Sequence, residues 1–186
     1  MKKFLGILSL SFLLSTNTTM ANEEVKFNIV HKTEIYEIRK YSERLVAQTI
    51  NDKKNATFRK LFNYIAGANN SSEKIKMTTP VTQTEKNNVF FMQFYLPAKF
   101  NKKTAPTPSS PDIKIILMKE GYFAVIKYSG RSSDKNFTKY SKILREKLLE
   151  DNIFINSLAI RATYNPPWTL PPFRRNEVMF NIKWKS

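Results

Sequence analysis

The sequence contains no cysteine, a single histidine and four glycines. Without cysteine there are no disulfide staples, no thiolate nucleophile, and no zinc–sulfur or thiolate-ligated haem site, so the fold must rest on its core. One histidine, His31, excludes di-histidine metal sites and leaves no basis for a Ser-His-Asp triad. Its place ten residues into the expected mature chain reads as solvent-facing. Four glycines supply neither a Walker loop nor a GxGxxG fingerprint. The fifteen carboxylates are scattered, and no acid/base pair stands out among them. No catalytic constellation is found, so the chain is expected to bind rather than catalyse, and a metal ligand is left unassigned.

Long apolar runs are also scarce, with one exception at the start. Lys2 and Lys3 precede an apolar stretch from Phe4 to Leu14, and Thr19-Met20-Ala21 has small-x-small form. That is the pattern of a secretory signal peptide over residues 1–21, too short in its apolar part to span a bilayer comfortably; the alternative is an uncleaved N-terminal anchor. Removing 21 of the 186 residues leaves 165, enough for one domain with a full core over 22–186. The expected location is therefore periplasmic or secreted, with no transmembrane segment in the mature chain and a monomeric state.

Acidic residues are in deficit: 31 Lys and Arg stand against 15 Asp and Glu, for a formal charge of +16. Such a surface attracts anions of many kinds. The lysines are dispersed, and no helix-turn-helix or zinc-finger pattern is present, so nucleic acid is not an expected partner.

The patterning that is present reads as a repeat. "EIYEIRKYSERLVAQTI" alternates as two short strands with a turn near Ser42-Glu43. In "NATFRKLFNYIAG" the residues Phe58, Leu61, Phe62 and Ile65 share one helix face, with Asn55 as a candidate cap and Gly67 as the stop. "KIKMTTPVTQTE" and "NVFFMQFYLP" read as a strand pair turning at Asn87-Asn88. The second is apolar on both faces, as befits a central strand. After the proline-rich joint "AKFNKKTAPTPSSPD" the order begins again. "IKIILMKEGYFAVIKYSG" supplies strands turning at Glu120-Gly121, and a helix capped by Ser133 carries Phe137, Tyr140, Leu144 and Leu148 on one face. Two strands follow, around "ATYNPPWTLPPFRRNEVMF". The expectation is an α+β fold, a pseudo-two-fold distorted antiparallel β-barrel of two βαββ-like halves with two helices outside.

Aromatics are abundant, fourteen Phe, eight Tyr and two Trp; some must build the core, and those flanked by cations are the candidates for a binding surface. The first helix meets that condition: Phe58, Leu61, Phe62 and Ile65 form an apolar strip with Arg59 and Lys60 alongside. An apolar strip with a basic rim suits a flat amphiphilic acid. Met77 reads as core, pocket wall or soft iron ligand. Trp168 stands on a stiff Pro166-Pro167 arm, where it is either a ligand contact or part of a structural crossing pinned by an arginine–Glu177 pair.

"YEIRKY", the helix ending in "YIAGAN", "KIKMTTPV" and "YNPPWTLPPFRRNEV" together resemble the SOUL haem-binding protein family, in the family's order and over nearly all of the mature chain. The resemblance implies a distorted barrel of two βαββ-like halves. It also implies reversible binding of haem or related tetrapyrroles, without catalysis in the best-known members. The implied pocket is apolar, along the first helix and near the proline-rich loop, lined by Phe58, Leu61, Phe62, Ile65, Met77 and Trp168, with Arg59 and Lys60 at its carboxylate rim. Two departures qualify this. The position of the histidine in the family's Tyr-x-x-Arg-His-Tyr element is Lys40 here. Basic residues expected on the first helix align with Asn55 and Asn63. The alternative is a binding module for another amphiphilic ligand, such as a lipid, drug or envelope component, with no role for haem.

Overall fold

The computed structural model describes residues 23–51 and 54–184. The signal-peptide pattern of residues 1–21 and the side chain of Asn55 lie outside this description. The first half comprises β1 (Glu23–Glu24), β2 (Asn28–Lys32), β3 (Glu37–Tyr41), β4 (Arg44–Asn51), α1 (Lys54–Ile65), β5 (Thr78–Thr79), β6 (Val81–Lys86) and β7 (Val89–Tyr95). The second comprises β8 (Ile113–Met118), β9 (Gly121–Tyr128), α2 (Asp134–Glu150), β10 (Phe154–Ile155), β11 (Ile160–Thr163) and β12 (Asn176–Lys183). One curled antiparallel sheet runs in the order β2-β3-β9-β12-β11-β6-β7-β4-β8, with β10 joined to β12. β1 and β5 form a separate parallel pair. The α+β, half-barrel architecture with two helices is the one the repeat implied. Within "KIKMTTPV" the strand begins only at Thr78, later than its alternation suggested.

The turns explain how the two halves are joined. Asn87 and Asn88 have φ of 51° and 61°, and Lys86 pairs with Val89, so β6 and β7 form a hairpin whose turn matches the twist of the strands. The sequence also places turns between strands at Ser42-Glu43 and Glu120-Gly121. Neither link has a residue at positive φ, and neither reverses the chain into a hairpin. Instead β3 pairs with β9 and β4 with β8 in a single register: Tyr41 opposes Gly121, and Arg44 opposes Met118. Two bent strands therefore run side by side through both halves of the barrel.

Each helix covers its own half. Ser133 caps α2 by accepting the Asn136 N–H at 3.3 Å, and Gly67, at φ 118°, ends the turn after α1. Leu144 and Leu148 of α2 are fully buried against Ile38, Ala124, Val178 and Phe180. Burying each leucine contributes about 1.5–3 kcal/mol. On α1 the core stripe is Leu61, Tyr64 and Ile65, packed on Ala47, Met92 and Phe94. The Tyr64 hydroxyl donates to the Pro106 carbonyl at 2.8 Å, tying α1 to the proline-rich joint.

Candidate ligand-binding site

Side chains alternate along β3. Tyr36, just before it, and Ile38 pack under α2, whereas Arg39 and Tyr41 turn to the opposite face. Arg39 is 0% exposed there. Its Nη1 and Nη2 donate to both oxygens of Glu177 at 2.9 and 3.1 Å, and its Nε and Nη2 donate to Glu37 at 3.0 and 2.8 Å. The network extends through Lys127 to Glu37 at 3.2 Å, Arg175 to Glu177 at 2.9 Å and Arg175 to Glu24 at 2.9 Å. The Tyr164 hydroxyl also donates to Glu177, at 2.7 Å. Three cations meet three carboxylates, which is what makes their burial tolerable. Phe27 lies against Arg39, with 4.1 Å from the guanidinium carbon to the ring centroid. In the other half, Gln93 bridges Gln48 and Thr82, and Arg44 lies over the rings of Tyr41, Tyr95 and Phe123. The protein's own side chains thus fill this face.

These environments shift several titrations. Burial alone would raise the Glu37 carboxyl, but hydrogen bonds from Arg39 and Lys127 outweigh it and hold the group below its ordinary value of 4.5. Burial pushes Tyr41 and Tyr64 up to about 12. Burial, then the charge of Glu177, raises Tyr164 further. Glu37 therefore stabilises the fold above its unfolded value, and that contribution is lost as pH falls through its lowered folded value. The tyrosines act in the opposite direction: their contribution is complete below pH 10 and is lost as pH rises through their raised values. A profile of melting temperature against pH is expected to be highest between about pH 5 and pH 10 and to fall on both sides. A profile flat from pH 3 to 11 would contradict the buried network.

The residues nominated on α1 divide. Leu61 and Ile65 are buried in the core, and Met77 packs partly against the same cluster. Phe58 and Phe62 remain 43% and 50% exposed, their rings stacked at 6.1 Å and 16°, with Phe58 set edgewise on Phe94 at 5.4 Å. Arg59 is exposed beside them, and Lys60 pairs with Asp112 at 2.5 Å. What the helix presents outward is an aromatic ledge with cations alongside.

Trp168 is 82% exposed. Its loop is anchored by the Gly130 N–H to the Pro171 carbonyl at 2.8 Å and by Arg174 to the carbonyls of Pro167 and Thr169. Arg175 makes the expected pair with Glu177. These anchors belong to the α2 half, and none of the described contacts brings Trp168 to Phe58 or Phe62.

A cavity of about 360 Å³ opens on the α2 half, lined by His31, Tyr36, Asp151, Ile153, Lys183 and Trp184 among others. His31 is exposed, as expected, yet its ring lies 5.5 Å from Trp184 and 6.5 Å from Tyr36. The Tyr36 hydroxyl donates to Asp151. Sequence reading missed this cleft, because its walls come from opposite ends of the chain. It also missed the Arg39 network, although one signal was present: Glu37 and Arg39, two apart in a strand, must share a face. Among the described residues no three His, Asp or Glu side chains gather as a metal site. No described helix is long and apolar enough to cross a membrane.

The family model described as "SOUL heme-binding protein" matches residues 22–181. The chain belongs to the SOUL haem-binding protein family. No curated protein sequence matches this SOUL chain. Solved structures share its fold at low identity. The EcmrR C-terminal domain is 11% identical, with a TM-score of 0.59, covering 80% of this chain and 96% of that one. A protein described as a hydrolase from Listeria innocua is 9% identical, with a TM-score of 0.57, covering 83% and 94%. An uncharacterized conserved protein from Listeria innocua is 8% identical, with a TM-score of 0.58, covering 82% and 94%. In the SOUL chain the motif position expected for histidine holds Lys40, whose amine is 3.9 Å from Glu120 and 5.8 Å from the Tyr122 ring centroid.

Proposed function

We propose that this SOUL-family chain is an exported, monomeric protein that binds haem or a related tetrapyrrole reversibly and without turning it over. The reading is carried by the family match over residues 22–181. The exposed Phe58–Phe62 ledge supports a location for binding on α1. Two stacked rings, each about half exposed, offer a flat apolar seat; Arg59 stands beside it to meet carboxylates, and Lys60 would exchange its Asp112 partner to do the same. The residues fit a tetrapyrrole in shape and charge, while α1 offers its iron no imidazole. When bound, the haem would supply the redox-active iron. The protein's part is to cover one face of the macrocycle, exclude water from it and neutralise its carboxylates.

The same ledge suits other amphiphilic anions, so the test compares probes. Protein recovered from the exported fraction, its first residue expected to be Asn22, is titrated with haemin and with iron-free protoporphyrin IX. Soret absorbance and tryptophan fluorescence report binding. Saturable changes at micromolar concentrations are expected for both. No saturable change with either would overturn the reading, and a different molecule found by native mass spectrometry of the recovered protein would replace it.

A further inference from the structure

We infer that the loop from Asn165 to Arg175 is a membrane-docking element, which seats Trp168, Leu170 and Phe173 in the interface of an anionic lipid bilayer. The inference is independent of what α1 binds.

Trp168, Leu170 and Phe173 are 82%, 64% and 75% exposed, and none of them joins a described core cluster. Single exposed apolar residues are ordinary, whereas three large ones on one short loop call for a partner. The loop is also held stiffly. Pro166, Pro167, Pro171 and Pro172 fix φ at four positions, and Pro171–Phe173 form a single 3₁₀ turn. The Asn165 side-chain oxygen accepts the Arg175 N–H at 2.7 Å, and the Thr169 carbonyl accepts from the Arg174 Nε at 2.7 Å. The Pro171 carbonyl accepts the Gly130 N–H at 2.8 Å. Side chains presented by so fixed a backbone lose little freedom when a partner covers them.

Charge selects the partner. From Asn165 to Arg175 there is no acidic residue, and the segment ends in two arginines. The Pro171 anchor sets the loop beside the start of α2, where Arg131 and Lys135 are exposed. The carboxylates of the neighbouring segments are matched by arginines: Glu24 and Glu177 pair with Arg175, and Asp134 pairs with Arg161 at 2.5 Å. The whole chain carries a formal charge of +16. An apolar tip of Trp, Leu and Phe with cations behind it has the composition of an interfacial anchor. Its aromatic rings sit at headgroup level while Lys and Arg meet the lipid phosphates. A protein partner would have to offer a surface shaped to this tip, whereas a bilayer accepts it without shape complementarity.

The test mixes protein recovered from the exported fraction with vesicles of equal parts phosphatidylglycerol and phosphatidylcholine, or of phosphatidylcholine alone. Co-sedimentation reports partitioning. In Trp184→Phe, Trp168 is the remaining tryptophan, and quenching by brominated acyl chains reports its depth. Partitioning into the anionic vesicles is expected to exceed that into the neutral ones at least tenfold, with blue-shifted, quenched Trp168 emission. Leu170→Ser with Phe173→Ser should lower partitioning at least tenfold at an unchanged melting temperature, since neither side chain is buried. Arg131→Glu with Lys135→Glu should weaken binding to the anionic vesicles, as should raising salt from about 0.1 M to about 1 M. All variants share the wild-type N-terminus, so any contribution of residues 1–21 is common to them. The inference is overturned if wild type does not partition, or if the Leu170→Ser, Phe173→Ser variant partitions equally and Trp168 stays unquenched. A dimer in analytical ultracentrifugation that Phe173→Ser dissolves would assign the loop to a second copy of the chain and overturn it as well. Failure of haemin and protoporphyrin IX to bind would defeat the proposed function and leave this inference standing.

Discussion

Arg39→Met is expected to cost about 3–5 kcal/mol of stability, read as a lower urea midpoint at unchanged slope. Arg39 is 0% exposed and donates to Glu37 and Glu177, and Glu177 is itself fully buried. Taking away the cation leaves Glu177 inside the fold with only Arg175 and the Tyr164 hydroxyl, and leaves Glu37 with Lys127. The cost is therefore the penalty of the abandoned carboxylates, not the value of one salt bridge. It follows that Arg39→Met combined with Glu37→Gln and Glu177→Gln should be less damaging than Arg39→Met alone. Neutral amides need no counter-charge, and three adjacent sites are expected to be strongly non-additive. A loss below about 1 kcal/mol for Arg39→Met would mean that water reaches the network.

Phe62→Asp is expected to reduce affinity for protoporphyrin IX by about ten- to a hundredfold, while stability changes little. Covering a phenylalanine ring with an apolar ligand contributes about 1.5–3 kcal/mol, and a carboxylate in its place would repel the carboxylates of the ligand. Phe62 is half exposed and, among the described residues, its ring stacks on Phe58, so the helix keeps its core residues Leu61, Tyr64 and Ile65. Titration by Soret absorbance and a thermal melt separate the two effects. An unchanged affinity would remove α1 from the binding surface. A collapse in melting temperature would show that the ring supports the fold instead.

Local signals carried most of the architecture. Apolar spacing at three and four residues marked α1 and α2, Ser133 and Gly67 marked their ends, and Asn87-Asn88 marked the β6–β7 hairpin. Each depends on chemistry within a few residues, which is why each could be read directly. What escaped depends on long-range partners. Nothing near Ser42-Glu43 states that β4 will pair with β8 rather than turn back on β3, since the partner arrives some seventy residues later. The α1 strip was legible as amphipathic, but periodicity does not separate Leu61, which is buried, from Phe62, which is not. His31 and Trp184 meet only through the tertiary fold, from opposite ends of the chain, and a lone histidine near the start of a chain carries no sign of that.

The bent strands β3–β4 and β8–β9 also govern how the barrel can come apart. Each strand holds side chains in both cores, Ile38 under α2 and Ala47 under α1, and Ala124 under α2 and Ile113 under α1. Peeling one half open would strip a strand of its ladder while its other end stayed paired. The pseudo-repeat therefore offers no weak seam between its copies. A chain assembled from two similar halves should melt in one cooperative step, and an isolated half should fail to fold.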